Sequence, residues 1–410
     1  MTDARPPISP ERYAERLTRA AGAAERGGLD ALLIGVGADL RYLTGYVALP
    51  LERLTMLVVP AFGRPGLVVP RLEALPARGS AAAAAGLLDI TTWDETADPI
   101  ALVAEGLGPG AARSRGERRR LAVSDRLWAS FLLGLQRVLP DAAFELASGV
   151  LRELRMRKDP DEVEGLRLAA HAADRVIAAI AAGPLIGRSE ADVAREIRER
   201  LVEEGHDSAD FAIVGSGPNS ASPHHEASDR VIRAGEPLLL DIGGPMGGYG
   251  SDITRVLWLT GGDGGNGPDE EYRRLYDVLA ESQAESTSAV RPGVPAERLD
   301  EVARNVIAAG GYGPNFIHRL GHGIGLEAHE EPYLVAGNEE PLDAGMAFSI
   351  EPGIYLEGRY GARIEDIVVC GPDGPDVLNE APRELLVVSG VGQSRTAGEA
   401  PARTPSGSHG

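Results

Sequence analysis

Short runs of apolar residues, separated by segments with a helical period, mark the first third of the chain. Three runs bounded by Gly or Pro are typical of buried strands: LDALLIG (29–35), LTMLVVP (54–60) and PGLVVP (65–70). Residues 10–27 show helical spacing, with Ser9 as a candidate N-cap. This alternation predicts an α/β domain over residues 1–155.

The rest of the chain repeats one plan twice. Two pairs of amphipathic helices are predicted, each leading to a strand hairpin: 160–180 with 189–206, and 269–290 with 295–312. The repeat predicts two helix–helix–hairpin halves around a shared centre within residues 156–390. Residues 391–410 are rich in Ser, Gly, Pro, Thr and Ala and are predicted to be a disordered tail.

Two aspartates interrupt the apolar pattern of the first hairpin, over 236–260. Asp241 and Asp252 fall inside the predicted strands rather than in the Gly-rich turn that joins them. Aspartate is depleted in strands because its side chain competes for backbone hydrogen bonds. A buried carboxylate also needs a partner that offsets its burial. A divalent metal ion is one such partner, and capping of the Gly-rich loop is the alternative.

The second hairpin, predicted over 347–355 and 361–370, carries two more acids. Glu351 alternates with apolar neighbours and therefore lies on the opposite face. Arg363 and Glu365 share one face because they are two residues apart. Glutamate is also common in surface strands. For either acid taken alone, a solvent-exposed side chain without a metal is therefore the alternative.

A histidine-rich segment, HRLGHGIGLEAHEEP (318–332), lies between the two hairpins. It holds His318, His322 and His329, among glycines expected to let the backbone approach a ligand closely. It contains neither the G-x-G-x-x-G dinucleotide motif nor the H-E-x-x-H zinc helix.

One imidazole and four carboxylates are thus candidates for a single metal site: Asp241, Asp252, His322, Glu351 and Glu365. This hard, oxygen-rich set suits manganese, cobalt or iron, and zinc less distinctively. Four anionic ligands balance two divalent ions. Two ions about 3.5–4 Å apart can hold a shared hydroxide and polarise the carbonyl that it attacks.

Composition excludes several other classes. The 410 residues carry a formal net charge of −20, which argues against nucleic-acid binding and against an acidic membrane surface. The single cysteine, Cys370, excludes an intramolecular disulfide and a cysteine-based zinc site. No signal-peptide pattern or membrane-spanning run is present, so a cytoplasmic protein without a membrane partner is expected. The absence of G-x-S-x-G argues against a serine hydrolase.

Five segments closely resemble those of the proline-specific pita-bread metallopeptidases, aminopeptidase P and prolidase: PHHEASDRVIRAGEPLLLDIG (223–243), GYGSDITR (248–255), HRLGHGIGLEAHEEP (318–332), SIEPGIY (349–355) and ARIEDIVV (362–369). The resemblance covers roughly residues 10–390. It implies an α/β (α+β) chain, with a creatinase/prolidase-like N-terminal domain over 1–155 and a pita-bread catalytic domain over 156–390.

The resemblance also implies roles for individual residues. Asp252 and Glu365 would bridge two divalent ions, Asp241 would bind one ion, and His322 with Glu351 would bind the other. Catalytic roles fall to His224, His329 and Glu351, and substrate-side positions to His318 and Arg363. For the residues around the metal ligands, such as His318, His329 and Arg363, the alternative is a supporting role through hydrogen bonds. His225 does not match the family pattern and is expected to be structural.

The implied reaction is hydrolysis of the bond between an N-terminal residue and proline by a hydroxide that bridges two metal ions, with Mn²⁺ expected and Co²⁺, Fe²⁺ or Zn²⁺ as alternatives. Tyr333 stands where prolidases of this family often carry an arginine suited to a dipeptide carboxylate. The prediction is therefore an Xaa-Pro aminopeptidase that acts on peptides with proline in the second position.

Two other activities stay open: an Xaa-Pro dipeptidase (prolidase), and a metallohydrolase of the same fold that acts on a small non-peptide amide. The complete ligand set argues against a metal-free amidinohydrolase and against a non-catalytic binding module. The resemblance also implies a homodimer, with a tetramer as the alternative, in which residues 42–52 contribute to the entrance of the partner's site.

Overall fold

The computed structural model describes residues 8–108, 118–262 and 265–391. Residues 392–410, nearly all of the segment predicted to be disordered, lie outside that description. Within the described ranges, no helix combines the length and the apolar character needed to cross a bilayer.

The N-terminal part begins with helix α1 (Pro10–Arg26), where the Ser9 hydroxyl accepts a hydrogen bond from the Arg12 amide, as predicted. The elements that follow it are β1 (Ala31–Ile34), α2 (Ala38–Thr44), β2 (Met56–Pro60), β3 (Gly66–Pro70), a 3₁₀ helix (Arg71–Glu73), α3 (Ala74–Gly79), α4 (Ala81–Ala84), β4 (Asp89–Trp93), α5 (Pro99–Gly106), β5 (Arg120–Val123), α6 (Ala129–Val138), β6 (Ala143–Leu146) and α7 (Ser148–Met156).

The strands of this part form one six-stranded mixed sheet in the order β4-β3-β2-β1-β5-β6. Strand β1 lies inside the sheet, antiparallel to β2 and parallel to β5. All four residues of β1 are buried, which is why its sequence is continuously apolar rather than alternating. The three strands predicted here are confirmed.

The C-terminal part begins at α8 (Pro160–Ala182). Asp159 and Glu162 form a capping box at the N-terminus of this helix. The elements that follow are α9 (Glu190–Glu203), β7 (Phe211–Ser216), a 3₁₀ helix (Gly217–Ala221), β8 (Glu236–Met246), β9 (Tyr249–Leu259), α10 (Glu270–Ser288), α11 (Ala296–Ala309), a 3₁₀ helix (Gly313–Asn315), β10 (Gly321–Gly323), β11 (Glu330–Leu334), β12 (Ala347–Ile350), β13 (Gly353–Leu356), β14 (Tyr360–Arg363), β15 (Asp366–Cys370), β16 (Pro375–Val377) and β17 (Leu386–Val388).

Two sheets in this part each bury one face against a helix pair. The sheet β17-β9-β8-β7 packs on α8 and α9, where Ile177 and Ile197 share a core with Leu240. The sheet β11-β10-β12-β15-β16 packs on α10 and α11, where Leu279 shares a core with Phe348. The two helix–helix–sheet halves predicted from the repeat are therefore present.

Strands β8 and β9, of eleven residues each, form a hairpin whose bounds agree with those predicted for the first hairpin. Its turn is reduced to Gly247 and Gly248, whose φ angles of +56° and +92° favour glycine. The register pairs Asp241 with Thr254 and Gly243 with Asp252, so both acids lie within paired strands.

The second predicted hairpin is interrupted. β12 pairs with β15, whereas β13 and β14 pair as a separate two-stranded ladder. Pro352 has no amide hydrogen to continue the first ladder, and the chain bends there. Glu351 and Glu365 consequently lie at the breaks between ladders instead of inside a regular strand. An antiparallel bridge between Glu365 and Thr254 joins the two sheets at this point.

The N-terminal and C-terminal parts meet at a partly buried set of ion pairs, here called the interface network: Asp39, Arg155, Lys158, Glu327 and Glu330. The Arg155 guanidinium contacts carboxylate oxygens of Asp39 at 2.8 Å and Glu327 at 2.7 Å, and also contacts Glu330. The Lys158 ammonium lies 2.6 Å from the other oxygen of Glu330. The network ties α2 and α7 to the segment that carries His329.

Candidate metal centre and active site

One cavity of about 1000 Å³ lies where the two C-terminal sheets meet. Every site residue predicted from the sequence lines it: His224, Asp241, Asp252, His318, His322, His329, Glu351, Arg363 and Glu365. Residues separated by up to 141 positions in the chain are thus brought together by the pairing of β8 with β9 and by the bridge to Glu365.

The acids gather around His322 at the base of this cavity. Ligand atoms of Asp252, His322 and Glu365 lie within 4.8 Å of one another, and all three side chains are buried. The His322 Nε2 atom is 3.2 Å from a Glu351 oxygen and 3.6 Å from an Asp252 oxygen. We call Asp241, Asp252, His322, Glu351 and Glu365 the acid cluster.

Local hydrogen bonds fix how His322 presents its ring. Its Nδ1 lies 3.2 Å from the carbonyl oxygen of Gly323, which can only accept, so Nδ1 carries the proton of that bond. This leaves Nε2 directed at the acids. The Ser349 hydroxyl accepts a hydrogen bond from the His322 amide and donates one to Glu351, which ties the two residues together.

The acids of the cluster are not equally easy to ionise. Burial raises the pKa of Asp252 and of Glu365 well above the ordinary range, and repulsion from the neighbouring carboxylates raises both further. Burial also opposes ionisation of Glu351. There the hydrogen bond and charge of His322 outweigh it and lower the pKa to about 2.

The residues present fit divalent metal ions. The Oδ1 atom of Asp241 is buried without a hydrogen-bond partner in the described part of the chain. Such an atom costs about 1–3 kcal/mol when unpaired, and more when charged. A divalent cation among these oxygens would satisfy Asp241 and offset the repulsion between Asp252 and Glu365.

Arg363 directs its donors at protein groups. Its Nε donates to the Thr254 hydroxyl at 3.0 Å, and Nη1 donates to the Tyr355 hydroxyl at 2.8 Å. Nη2 donates to Oδ2 of Asp241. The Thr254 hydroxyl in turn donates to Glu365 at 2.6 Å. Arg363 is 2% exposed, and these contacts favour the supporting alternative over direct contact with a substrate.

The other histidines occupy different positions around the cavity. His318 is held on both sides, since Nδ1 donates to the Arg319 carbonyl at 2.8 Å and Nε2 accepts from the Tyr355 hydroxyl at 2.9 Å. The His329 ring packs against His322 with centroids 3.9 Å apart. Burial and the nearby positive charge of His322 lower the pKa of His329 to about 4. His224 is exposed at the cavity wall.

His225 points away from its neighbour and into a different set of contacts. Its Nε2 lies 2.8 Å from the buried carboxylate of Glu190, which also accepts hydrogen bonds from Ser216 and Ser228. This placement agrees with the structural role expected for His225.

Two glycines of the histidine-rich segment lie close to neighbouring backbone. A Cβ on Gly321 would lie 2.0 Å from the Ser349 carbonyl oxygen, and one on Gly323 would lie 2.3 Å from that of Glu331. These glycines therefore let β10 pack tightly between β11 and β12. At these two positions the close approach is made by the chain's own backbone, which fills the space beside the glycines.

Comparison with known proteins agrees with this arrangement. Residues 164–372 match metallopeptidase family M24, and residues 16–157 match the creatinase/prolidase N-terminal domain. The chain is 47% identical over 379 residues to the probable dipeptidase PepE of Mycobacterium tuberculosis, covering 92% of this chain and 97% of the relative. It is 33% identical over 353 residues to the Xaa-Pro dipeptidase of Lactobacillus helveticus, covering 85% and 92%.

The solved structures give the same result. The crystal structure of dipeptidase PepE from Mycobacterium ulcerans superposes with a TM-score of 0.85 at 47% identity, over 93% of this chain and 100% of that one. This chain belongs to the proline-specific pita-bread metallopeptidases of family M24. The predicted family and fold class are confirmed.

In this M24 metallopeptidase, Thr254 and Tyr355 bind residues that line the cavity, and Arg319 lines it, although the sequence analysis selected none of the three. Thr254 lies two positions after Asp252 on the same strand face, and this two-residue period could have identified it. Tyr355 and Arg319 were not selected, although both lie within segments that resemble the family, because their contacts with Arg363 and Tyr333 form only in the fold. The apolar wall of the cavity includes Phe211 and Ile317.

Proposed function

We propose that this metallopeptidase hydrolyses Xaa-Pro dipeptides at a centre of two divalent ions. The observation that carries the proposal is the acid cluster, whose four carboxylates outnumber the two cationic side chains in contact with them among the described residues, Arg363 and His322. The dipeptide preference is supported by relatives named as a probable dipeptidase and an Xaa-Pro dipeptidase.

The acid cluster would hold the ions, with Asp252 and Glu365 between them, Asp241 on one, and His322 and Glu351 on the other. When bound, a pair of divalent ions polarises a carbonyl and makes water a better nucleophile. Mn²⁺ is the ion proposed, because four carboxylates and one imidazole form a hard donor set. Arg363 and Thr254 would keep Asp241 and Glu365 oriented.

Proton transfer falls to Glu351. Its carboxylate lines the cavity beside the other members of the acid cluster, where it would take a proton from the attacking water. As the C–N bond breaks, the same proton passes to the proline nitrogen, which leaves as a secondary amine. His329, neutral at pH 7, would donate a hydrogen bond to the oxyanion that forms. His224 would assist at the open side of the cavity, and His318 would line the substrate side.

Selection of proline follows from its shape. Proline has no amide hydrogen to donate and a fixed φ, so its ring suits a rigid pocket that offers no acceptor to that nitrogen. His318 can form part of such a pocket. Both of its ring nitrogens are bound to protein groups, so neither is free to accept a hydrogen bond from the substrate.

The second candidate is an Xaa-Pro aminopeptidase, as the sequence analysis predicts. Tyr333 favours it, because a tyrosine supplies no positive charge for a dipeptide carboxylate. The third is hydrolysis of a small non-peptide amide.

A substrate series separates the three. Gly-Pro, Arg-Pro-Pro and a panel of simple amides would be compared with Mn²⁺-loaded protein. The proposal predicts a higher kcat/KM for Gly-Pro than for Arg-Pro-Pro. Turnover of the tripeptide alone would establish the aminopeptidase, and turnover of amides alone would establish the third candidate. Light scattering of the same preparation would test the proposed homodimer.

A further inference from the structure

Arg319 stands out among the arginines of the catalytic part. It lines the cavity that contains the acid cluster, and its side chain is half-buried. Throughout the described ranges, no carboxylate forms an ion pair with it, and its guanidinium donates no hydrogen bond to a protein group. Within the same ranges, Arg198 and Arg233 of the catalytic part have no such partner either, but both are exposed, whereas Arg319 is half-buried on the cavity wall.

Other arginines near the catalytic centre are already occupied. Arg363 is bound to Asp241, Tyr355 and Thr254. Arg255 donates to Asp366 at 2.6 Å and is 1% exposed. Arg319 therefore has free donors on the wall of the cavity, whereas these two do not.

Tyr333 holds the Arg319 guanidinium by stacking. The guanidinium carbon lies 4.4 Å from the centroid of the Tyr333 ring. This contact places the cation over the ring face of Tyr333 and uses none of the guanidinium N–H donors. A pre-oriented guanidinium edge matches the two oxygens of a carboxylate.

His329 links this position to the acid cluster. Its ring contacts that of His322, and Arg319 is one of the charges that, after burial and His322, lower its pKa. The free carboxylate of a dipeptide follows the scissile bond by one residue, which spans at most about 3.6 Å of chain. A group that binds this carboxylate must therefore lie in the same cavity as the acid cluster.

We propose that Arg319, stacked on Tyr333, binds the C-terminal carboxylate of the substrate and thereby determines the preference for dipeptides. The inference rests on the proposed function. It assigns to Arg319 the positive charge that Tyr333 itself does not supply. A carboxylate that leaves water for the wall of this cavity needs a charged partner to offset its burial, and within the described ranges Arg319 is the arginine on that wall with free donors.

The test compares Ala-Pro with its C-terminal amide. For Arg319→Ala we expect the KM for Ala-Pro to rise about 10- to 100-fold with little change in kcat, because a charge-assisted bidentate contact is lost. The kcat/KM for the amide should not fall in parallel. Arg319→Lys should restore part of the affinity for Ala-Pro, because lysine supplies the positive charge but not the paired N–H donors of a guanidinium.

Arg359→Ala is the matched control. Arg359 also stacks on a tyrosine, Tyr360, with its guanidinium carbon 4.9 Å from the ring centroid. It pairs with Glu271 outside the cavity, so its removal should leave the ratio between the two substrates unchanged. Equal losses on Ala-Pro and its amide in Arg319→Ala, or an unchanged KM for Ala-Pro, would overturn the assignment.

Binding of L-proline separates this inference from the proposed reaction. Calorimetric titration of L-proline, with prolinamide as the control, requires no turnover. We expect Arg319→Ala to weaken L-proline binding about tenfold or more and to leave prolinamide unaffected. If the wild-type protein hydrolysed no Xaa-Pro substrate yet showed this Arg319-dependent binding, the proposed reaction would fail and the carboxylate site would stand. Equal binding of L-proline by both proteins would refute the site.

Discussion

The acid cluster and the interface network both bury several carboxylates, but their charges are balanced in different ways. In the interface network, burial opposes ionisation of Glu330, yet Lys158 and Arg155 outweigh burial and lower its pKa. In the acid cluster, the pKa values of Asp252 and Glu365 are raised well above their ordinary range. Glu330 is neutralised by the chain itself, whereas Asp252 and Glu365 need cations from outside. A buried acid is therefore a functional signal only when its partners are missing.

The largest effect is expected from Asp252→Asn. Removing a carboxylate from the acid cluster should lower kcat/KM for Xaa-Pro substrates about 1,000-fold or more, because metal-dependent stabilisation of the transition state is worth several kcal/mol. The metal-free protein should melt at the same temperature or higher, since repulsion with Glu365 is relieved. Steady-state kinetics and thermal unfolding in chelator measure both effects. Near-normal turnover by this variant would show that Asp252 does not bind the catalytic metal ions.

The interface network should respond in the opposite way, through stability. Lys158→Met leaves the buried Glu330 with one partner fewer and should destabilise the fold by about 3–5 kcal/mol. Urea unfolding measures the loss. The double variant Lys158→Met/Glu330→Leu should recover part of it, because no unpaired charge remains. A single variant as stable as the wild type would contradict the contrast between the two sets.

Glu190 is a third kind of buried acid, satisfied mainly by neutral donors. Burial opposes its ionisation, but hydrogen bonds from Ser216, Ser228 and His225 outweigh burial and lower its pKa to about 2. Glu190→Gln should cost about 1–3 kcal/mol at pH 7. A depressed pKa stabilises the fold above the ordinary value of 4.5, and this contribution is lost as the pH falls toward 2. The urea midpoints of the wild type and of Glu190→Gln should therefore differ by a constant amount at neutral pH. This difference should shrink below pH 4.5. A difference that grew on acidification would be inconsistent with this sign.

The smallest effect is expected at the surface. The Arg64 and Asp89 side chains are 52% and 72% exposed and lie 2.8 Å apart. Asp89→Asn should change the free energy of unfolding by less than about 0.5 kcal/mol, because solvent and salt screen the pair. A larger change in the same urea assay would mean that burial is not what separates these sets of acids.

Much of this architecture could be predicted from local pattern. Continuous apolar runs identified the buried N-terminal strands, and the repeat of helix pairs identified the two catalytic halves. The break at Pro352 was missed, because alternation continues on both sides of it while the strand partner changes.

The acid cluster shows where sequence reasoning stops. Glu365 and its neighbour Asp366 are both acids in an apolar segment, and their sequences do not distinguish their roles. In the fold, Glu365 faces the cavity, whereas Asp366 faces Arg255, Gln283 and Arg383. The two-residue spacing placed Glu365 on the same face as Arg363, but nothing in the sequence showed which face meets the cavity. The stacking of Arg319 on Tyr333 was also out of reach, because the two residues lie 14 positions apart on different segments.

Calorimetric titration of Mn²⁺ into chelator-stripped protein tests the central claim most directly. The account predicts about two ions bound per wild-type chain, a loss of high-affinity binding in Asp252→Asn, and turnover of Gly-Pro that disappears on chelation and returns with Mn²⁺. Turnover that survived complete removal of divalent ions, or Mn²⁺ binding that Asp252→Asn left unchanged, would contradict it.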